Sequence, residues 1–582
     1  MNAHLRTVAV VFLFLTSHSV PALWADNVDD VIKAEMKKRQ IPGLSLAIIQ
    51  DGKIAKATGY GTTEAGGKTP VTPSTLFQAG SISKSVAALG ALYLVEKGKL
   101  SLDEDVNTRL TSWKVPENDF TRQRKVTLRL LLSHTAGLTV HGFPGYAIGE
   151  QIPSVVQVLN GEKPANTAPV RVDLLPGSRW RYSGGGFTVM QQLVVDVTRK
   201  PYPEFMKEVV LAPLGMESSS FEQPLPKNLA RLTATGHDPD RTQVKGRWHV
   251  YPEMAAAGLW TTASDLARFA IGIQQSRAGK ANPVISASMT AQMLTNVNSN
   301  YGLGVGVESS GDKLRFSHGG RDAGFDAMYV AYAATGQGAA IMLNVNDNSR
   351  SVSRIMQAIA REYHWPDYPL PTVATRPPAK VSASALEAVT GRYELSNNNM
   401  TTLVLEKGRL FTSVDGLTDE ELLPETDSRF FTAGDRQINF LKDTAGRITG
   451  FEWQERGRKG KAPRIGPLVH SLKRTPDTYP VRAERVEVVL KALGQPGQAV
   501  QTAPGLSPGA RRDFAGGVPP LAGLRSLEFV GIEDIADRQI ERHDSKVSRV
   551  FYGKLAFPKA SSYILVYLTA DDLVTDFDLV KD

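Results

Sequence analysis

A serine and a lysine stand three residues apart in the segment that runs from Phe77 to Lys84. Residues three apart share one face of a helix, so the amine of Lys84 can reach the hydroxyl of Ser81. Serine is a weak nucleophile until a neighbouring base takes its proton, and a lysine in the protein interior can serve as that base. The spacing by itself favours a serine that only caps the helix, and the same serine with a base beside it is a candidate nucleophile.

The residues after Ser81 indicate that this pair lies inside the protein. The run from Val86 to Val95 is apolar almost all the way round a helix, which is typical of a buried helix. Ser81 would open that helix, where free N–H groups and the helix dipole favour a developing oxyanion. The spacing alone is weak, because it recurs from Ser310 to Lys313, where glycine and aspartate between the two predict a turn.

Two other segments carry side chains that could complete such a site. Tyr182 lies in the segment Trp180–Gly186, a predicted loop directly before a predicted helix over 187–198. His318 ends a predicted strand and is followed by two glycines and an arginine.

These three motifs together resemble the serine β-lactamase and penicillin-binding-protein superfamily. Within it the chain looks most like the class C β-lactamase-related serine hydrolases, a branch that includes esterases and D-aminopeptidases. The resemblance covers roughly residues 27–365, in order along the chain, and it also rests on the segments Leu131–Leu138, Leu211–Met216 and Ala257–Leu266.

The resemblance implies a role for each residue of the motifs. Ser81 would be acylated and Lys84 would activate it, while Tyr182 would be the general base and carry a proton to the leaving group. His318 would stand where many β-lactamases of the family have a lysine. The backbone N–H groups of Ser81 and Arg321 would form the oxyanion hole.

The neighbours of these residues are expected to bind the substrate. Gly319 and Gly320 would let the strand backbone approach the substrate closely, beside Arg321. Ser183 and Gly184 complete the second motif, but Gly184 stands where the family has an asparagine that helps to hold the acylamino group of a β-lactam.

The two departures from the family pattern favour one group of substrates. The missing amide at Gly184 removes one contact to a β-lactam. An imidazole at position 318 is mostly neutral at pH 7 and binds a carboxylate less firmly than an ammonium group. The resemblance therefore implies an esterase, an amidase or a D-amino-acid peptidase with weak or no β-lactamase activity.

Other readings stay open at this level. The chain could be a penicillin-binding-like protein that recognises peptidoglycan or a partner without turnover. The segment Gly505–Gly509 matches the G-x-S-x-G elbow of α/β-hydrolases, but proline follows its serine and no strand is predicted before it, so we expect a loop. His134, His141 and His249 would either line the cleft or pack within loops.

Composition excludes several function classes. The 582 residues include no cysteine, which removes disulfides, thiolate zinc sites and cysteine nucleophiles. Ten scattered histidines without an H-E-x-x-H pattern argue against a helix-borne zinc protease, and we expect the acyl transfer to use no metal and no organic cofactor. The net charge of +8 is spread thinly, and the densest basic run, Arg456–Lys461, is interpreted as a solvated hairpin tip. The expected partner is a small molecule or short peptide, not a nucleic acid.

Strand and helix signals predict three folded units. Strand patterns over 44–60 and 302–345, with helices between, predict an α/β (α+β) catalytic domain with one antiparallel sheet and a helical region over 26–365. A proline-rich linker follows over 366–382. Short alternating strands predict a β-barrel-like domain over 383–475, and a helix with four strands predicts a C-terminal α+β domain over 480–582.

The first residues have the features of a signal peptide over 1–25. Arg6 precedes an apolar run from Val8 to Leu15, and cleavage is expected after Ala22 or Ala25. The run is too short to cross a bilayer as a helix. The sequence thus predicts a periplasmic or secreted protein without an integral membrane span once the signal is cleaved.

Overall fold

A computed structural model describes most of the chain after the predicted signal peptide. The described residues are 27–280, 284–347, 349–370, 377–396, 399–414, 417–432, 436–455, 458–468, 480–495, 498–514, 518, 521–538, 540–543, 545–558 and 561–580. The predicted signal peptide over 1–25 lies outside them, as do residues 371–376 of the predicted linker and residues 456–457 of the basic run.

The first unit is an antiparallel sheet of six strands drawn from both ends of residues 27–362. Its strand order is β2-β1-β10-β9-β8-β7, and two short pairs, β3 with β6 and β4 with β5, lie outside it. The strands of this unit are β1 (Gly43–Gln50), β2 (Lys53–Gly61), β3 (Phe77–Gln78), β4 (Tyr146–Ala147), β5 (His249–Val250), β6 (Trp260–Thr261), β7 (Gly306–Glu308), β8 (Arg315–Asp322), β9 (Phe325–Tyr332) and β10 (Gly338–Leu343).

Helices of this unit pack on both faces of the sheet, and others form a helical region in which they pack on one another. They are α1 (Asn27–Arg39), α2 (Ser83–Glu96), α3 (Asp119–Gln123), α4 (Leu128–Leu132), α5 (Val155–Asn160), α6 (Gly184–Thr198), α7 (Tyr202–Met206), α8 (Lys227–Ala230), α9 (Met254–Ala257), α10 (Ala263–Arg277), α11 (Ala287–Met293) and α12 (Arg350–Glu362). Alternate residues of β1 enter opposite cores, because side chains point to opposite faces along a strand. Leu46 and Ile48 pack with α1 and α12, whereas Ala47 and Ile49 belong to the core that contains α2.

A closed barrel of eight strands follows the short helix α13 (Ala383–Ala388). Its strands are β11 (Gly391–Ser396), β12 (Asn399–Glu406), β13 (Arg409–Val414), β14 (Leu417–Pro424), β15 (Arg429–Thr432), β16 (Gln437–Lys442), β17 (Ile448–Glu455) and β18 (Arg458–Gly466). The prediction of a hairpin tip over the basic run is wrong for residues 458–461, which lie in β18 and pair with β17.

The last unit is a four-stranded antiparallel sheet with three helices. Its elements are α14 (Pro480–Leu493), α15 (Gln498–Thr502), α16 (Pro508–Asp513), β19 (Ser526–Asp534), β20 (Glu541–Arg542), β21 (Ser545–Lys546), β22 (Arg549–Ala556), β23 (Ser561–Leu568) and β24 (Val574–Val580). The sheet order is β19-β22-β23-β24. The predicted fold class, a mixed catalytic domain followed by a barrel and an α+β unit, is confirmed. In the part of the chain that is described, no helix is long and apolar enough to span a membrane.

Candidate active site

Ser81 and Lys84 lie where β8 meets the start of α2. Ser81 is in a single 3-10 turn, Gly80–Ile82, which leads directly into the α-helix, so it precedes that helix rather than opening it. The side chain of Lys84 is buried, and its Nζ lies 3.0 Å from Ser81 Oγ and 2.7 Å from the carbonyl oxygen of Ala256. The amine is thus held against the serine by the protein interior, at a distance over which a proton can pass.

Tyr182 faces the same amine from the loop before α6. The centre of its half-buried ring lies 4.9 Å from Lys84 Nζ and 6.2 Å from the His318 ring centre. The structure therefore brings Ser81, Lys84, Tyr182 and His318 together, although the sequence separates the first and last of them by more than two hundred residues.

The other two residues of the second motif do not face the cleft. Ser183 is buried and caps α6: its Oγ accepts the Gly186 N–H at 2.9 Å and donates to the Thr139 carbonyl oxygen at 2.8 Å. A Cβ on Gly184 would lie 2.9 Å from the Phe143 ring and 3.0 Å from a backbone oxygen. The expectation that both positions bind substrate is replaced by a packing role, since neither has a free group directed at the substrate.

The two glycines of the third motif have different surroundings. A Cβ on Gly320 would lie 1.9 Å from the Ala79 carbonyl oxygen, so only glycine lets β8 approach the turn that carries Ser81. Gly80 has a φ of +51°, and a Cβ there would lie 2.3 Å from the Arg321 nitrogen. Gly319 is exposed, and the nearest atom to its Cβ would be 3.9 Å away. Close backbone approach therefore explains the glycine at 320 and does not explain the one at 319.

This difference gives a matched pair of substitutions. Gly320→Ala should lower kcat at least about tenfold, because the added methyl group pushes β8 and the Arg321 N–H away from Ser81. Gly319→Ala adds the same methyl group where there is room, so its free energy of unfolding should stay close to that of the wild type. Steady-state kinetics and urea unfolding of Gly320→Ala and Gly319→Ala measure these effects. If the two variants have the same kcat and the same free energy of unfolding, the close backbone approach at Gly320 is contradicted.

His318 is a neutral, fully bonded imidazole. Its Nδ1 donates to the Gly319 carbonyl oxygen at 2.5 Å, so its Nε2 accepts from the Tyr301 hydroxyl at 3.0 Å. Burial, with a smaller contribution from the Lys84 ammonium, lowers the pKa of His318 to about 4. His318 therefore offers neither a charge nor a free N–H to a substrate carboxylate at neutral pH, and Tyr301 is a bonded neighbour that the motifs did not indicate.

The low pKa of His318 predicts acid lability. In the unfolded chain a histidine takes up its proton near pH 6.5, so between pH 6.5 and about 4 the unfolded state binds a proton that the folded state does not. The neutral His318 thus contributes to the free energy of unfolding fully above pH 6.5, and this contribution is lost as the pH falls to about 4. The loss in the free energy of unfolding is at most about 3 kcal/mol. His134 shifts in the same direction, mainly through burial, and adds to this loss.

Urea unfolding at pH 7 and pH 4 measures the loss. His318→Gln should reduce the difference in free energy of unfolding between the two pH values. His364→Gln, which changes an exposed histidine of the same domain, should leave the difference as it is in the wild type. An unchanged difference in His318→Gln would contradict the buried neutral histidine.

The motif residues line a cleft with a volume of about 600 Å³. Its lining residues are Ser81, His141, Trp180, Arg181, Tyr182, His318, Gly319, Gly320, Arg321 and Ser349. Arg181 donates to Asp173, so its charge is compensated, whereas Arg321 is exposed and donates to Ser349 Oγ at 3.4 Å.

The three histidines left open by the sequence have different positions. His141 lines the cleft. His249 lies in β5, opposite Ala147, with its Nδ1 2.8 Å from the Pro144 carbonyl oxygen, and it is not among the residues that line the cleft. His134 is buried behind Tyr182. The serine of the G-x-S-x-G match, Ser507, is buried and caps α16 through the Ala510 N–H, as a loop serine would.

Two buried carboxyl groups near the site were not found from the sequence. Asp322 follows the third motif, and burial raises its pKa well above the usual value, although the nearby Lys84 acts in the opposite direction. Burial also raises the pKa of Glu253 to about 8, and neither of its carboxyl oxygens has a hydrogen-bond partner among the described residues. Glu253 is therefore mostly neutral at pH 7. The only sequence feature that indicates either acid is the position of Asp322 directly after the third motif.

Comparison with known proteins agrees with this geometry. Residues 28–362 match the model of the family described as Beta-lactamase. The chain is 29% identical over 265 residues to a β-lactamase of Providencia stuartii, covering 45% of this chain and 64% of that enzyme. It is 27% identical over 217 residues to the Flp protein of Staphylococcus aureus strain N315, covering 36% of this chain and 41% of Flp. The chain thus spans less than two thirds of the length of either relative.

One solved structure resembles a larger part of the chain. The octameric penicillin-binding protein homologue from Pyrococcus abyssi superposes with a TM-score of 0.54 at 21% identity, covering 76% of this chain and 98% of that one. At this identity the likeness concerns the fold. From the family match over more than half of its residues, the chain belongs to the β-lactamase family, within the serine β-lactamase and penicillin-binding-protein superfamily.

Proposed function

We propose that this chain is a serine hydrolase that works through an acyl-enzyme on Ser81. The observation that carries the proposal is the contact of 3.0 Å between the buried Lys84 amine and the Ser81 hydroxyl at the bottom of an open cleft. A buried amine held by a second bond to the Ala256 carbonyl oxygen is positioned for proton transfer, not for a surface ion pair.

The arrangement supports a two-step acyl transfer. Ser81 Oγ attacks the acyl carbon while Tyr182, as the general base beside the Lys84 amine, takes up the serine proton, and the N–H groups of Ser81 and Arg321 hold the resulting oxyanion. The bond to the leaving group breaks as Tyr182 returns a proton to it. A water molecule then attacks the acyl-enzyme by the same route in reverse, which releases the acid and restores Ser81.

The proposed substrates are esters, amides or D-amino-acid peptides, with weak or no β-lactamase activity. The neutral His318 has both nitrogens bonded within the protein, and position 184 packs against Phe143, so neither supplies the contacts that hold a β-lactam carboxylate and acylamino group. Short activated esters need neither contact.

We expect kcat/KM for p-nitrophenyl butyrate to exceed that for nitrocefin at least about tenfold, because a hydrogen bond to a charged group contributes roughly 1.5–3 kcal/mol. His318→Lys should narrow this gap by supplying a charge, and His318→Gln, which is neutral, should not. A panel that adds D-aminoacyl anilides identifies the bond cleaved. If the wild type hydrolyses nitrocefin faster than the ester, this substrate preference is contradicted. If Ser81 is labelled stoichiometrically but no substrate is turned over, the result favours a non-catalytic binding protein.

Export is also a proposal, and it rests on the sequence of residues 1–25. Mass spectrometry of the protein recovered from a periplasmic fraction or from culture medium should find a mature N-terminus after Ala22 or Ala25. Full-length protein confined to the cytoplasmic fraction would contradict it.

A further inference from the structure

His134 makes three contacts with the segment that runs from Arg181 to Ser183. The centres of the two rings lie 4.2 Å apart, with the planes tilted by 36°. The carbonyl oxygen of His134 accepts the N–H of Arg181 at 2.8 Å. Its Nδ1 accepts the N–H of Ser183 at 3.1 Å. One residue therefore bonds to the backbone on both sides of Tyr182 and also packs against its side chain.

The bond to Ser183 fixes the tautomer of His134. A backbone N–H can only donate, so Nδ1 must be unprotonated and the ring proton must lie on Nε2. Burial, with smaller contributions from Lys84, His318 and His141, lowers the pKa of His134 well below its usual value. The neutral ring therefore keeps its acceptor directed at Ser183 throughout the neutral pH range.

His134 is held there at an energetic cost. Its backbone has a φ of +58°, a left-handed conformation that non-glycine residues seldom adopt. Its Nε2 is buried and has no hydrogen-bond partner among the described residues. Strained and unsatisfied groups of this kind persist where the surrounding structure requires them, and they cluster at functional sites.

The rings around His134 leave it no freedom to move. Tyr301, Phe187 and Trp180 lie with ring centres 4.9, 5.3 and 6.1 Å from it. The loop of Tyr182 therefore packs against a cluster of aromatic rings rather than facing solvent on this side. His141 also lies against Tyr182, at 4.9 Å, but it is exposed on the cleft side.

We propose that His134 is a positioning residue for Tyr182: its ring and its Nδ1 acceptor hold the Tyr182 ring in place beside the Lys84 amine, where Tyr182 takes part in proton transfer. His134 itself touches neither the nucleophile nor the substrate. The proposal rests on the proposed role of Tyr182, and it assigns to His134 a function that packing alone would not have.

A double-mutant cycle with Tyr182 tests the proposal. In the wild-type background His134→Phe, which keeps a ring and loses the acceptor, should lower kcat for p-nitrophenyl butyrate at least about tenfold with KM within about threefold, because small misplacements of a proton-transfer group are costly. His134→Asn, whose amide oxygen can replace Nδ1 as acceptor, should recover part of that loss. In a Tyr182→Phe background, with no hydroxyl to position, neither change should lower kcat more than about twofold.

A second buried histidine provides the control. His237 likewise accepts a backbone N–H, that of Ala65 at 3.1 Å, and its Nδ1 lies 2.8 Å from the Asn344 carbonyl oxygen, away from the cleft residues. His237→Asn should lower the free energy of unfolding and leave kcat close to that of the wild type. If His134→Phe does not fold, His134→Asn tests the proposal by itself. This variant loses the ring contact with Tyr182, so it should lower kcat when Tyr182 has its hydroxyl and should not lower kcat in the Tyr182→Phe background.

The outcomes separate the two proposals. If Tyr182→Phe has wild-type kcat, the role of Tyr182 in the proposed function fails, and the inference about His134 fails with it. If Tyr182→Phe is impaired but the His134 variants lower kcat by the same factor in both backgrounds, the proposed function stands and the positioning role is overturned. The role is also overturned if His134→Asn is as impaired as a folded His134→Phe.

Discussion

Ser81→Ala is expected to lower kcat at least about 10³-fold, and Lys84→Ala should do the same, because residues that act as one unit fail together. A factor of 10³ corresponds to about 4 kcal/mol of transition-state stabilisation. The serine supplies the atom that is acylated, and the lysine, 3.0 Å away, is its activating partner. Steady-state kinetics with p-nitrophenyl butyrate measure both losses.

The chain offers a matched control with the same spacing. Ser310 and Lys313 form a second Ser-x-x-Lys on an exposed turn, where neither side chain is near the cleft. Ser310→Ala and Lys313→Ala should leave kcat unchanged. Because Lys84 is buried, Lys84→Met, which keeps most of its length, checks that lost activity is not lost folding. Near-normal kcat in Ser81→Ala would refute the assignment of the nucleophile.

Tyr182→Phe should lose most of kcat, about 10²-fold to 10⁴-fold, while KM changes little. The substitution removes only the hydroxyl that carries the proton and leaves the ring that packs against His134 and faces Lys84. Urea unfolding should give a free energy close to that of the wild type, since the ring contacts remain.

Another buried tyrosine controls for the loss of a hydroxyl. Tyr202 is fully buried, its hydroxyl has no hydrogen-bond partner among the described residues, and it lies outside the residues of the cleft. Tyr202→Phe should therefore keep wild-type kcat. A Tyr182→Phe variant with raised KM and unchanged kcat would make Tyr182 a binding residue and place the base elsewhere.

The relation of Ser81 to Lys84 could be predicted because it is local. Their spacing places both on one side of a helical segment, and the apolar run after them indicated burial, as the structure has it. The composite sheet could be predicted from a different signal: strand patterns occur at both ends of the first unit with helical patterns between them, and the pairing of β1 with β10 joins the two ends.

Short alternating strands in the sequence predict the barrel, but the strand signal is weak in β14, β15 and β18. β14 and β18 carry charges on their outer faces, which hides the alternation of their inner residues: Glu421 pairs with Arg409, and Lys461 pairs with Glu452. In β18 the inner positions hold small residues, Gly460 and Ala462, so the run was interpreted as a turn. The third, β15, has only four residues and gives little periodic signal.

The packing of His134 against Tyr182 could not be predicted, because it is a contact between residues that are distant in the sequence. His134 lies 48 residues before Tyr182, and its sequence neighbourhood gave no reason to prefer a contact with that loop over ordinary packing. The same limit applies to Ser183. The motif predicts that this serine faces the cleft, whereas in the structure its hydroxyl accepts the Gly186 N–H and caps α6. A motif identifies which residues meet; the direction of each side chain is decided by the packing around it.

The central claim is that Ser81 forms an acyl-enzyme, and mass spectrometry of the trapped protein tests it most directly. Wild-type protein treated with a fluorophosphonate, or quenched during turnover of p-nitrophenyl butyrate, should carry a single adduct on the peptide that contains Ser81. Ser81→Ala should carry none, and Ser310→Ala should be labelled like the wild type. An adduct on another residue, or full labelling of Ser81→Ala, would contradict the account.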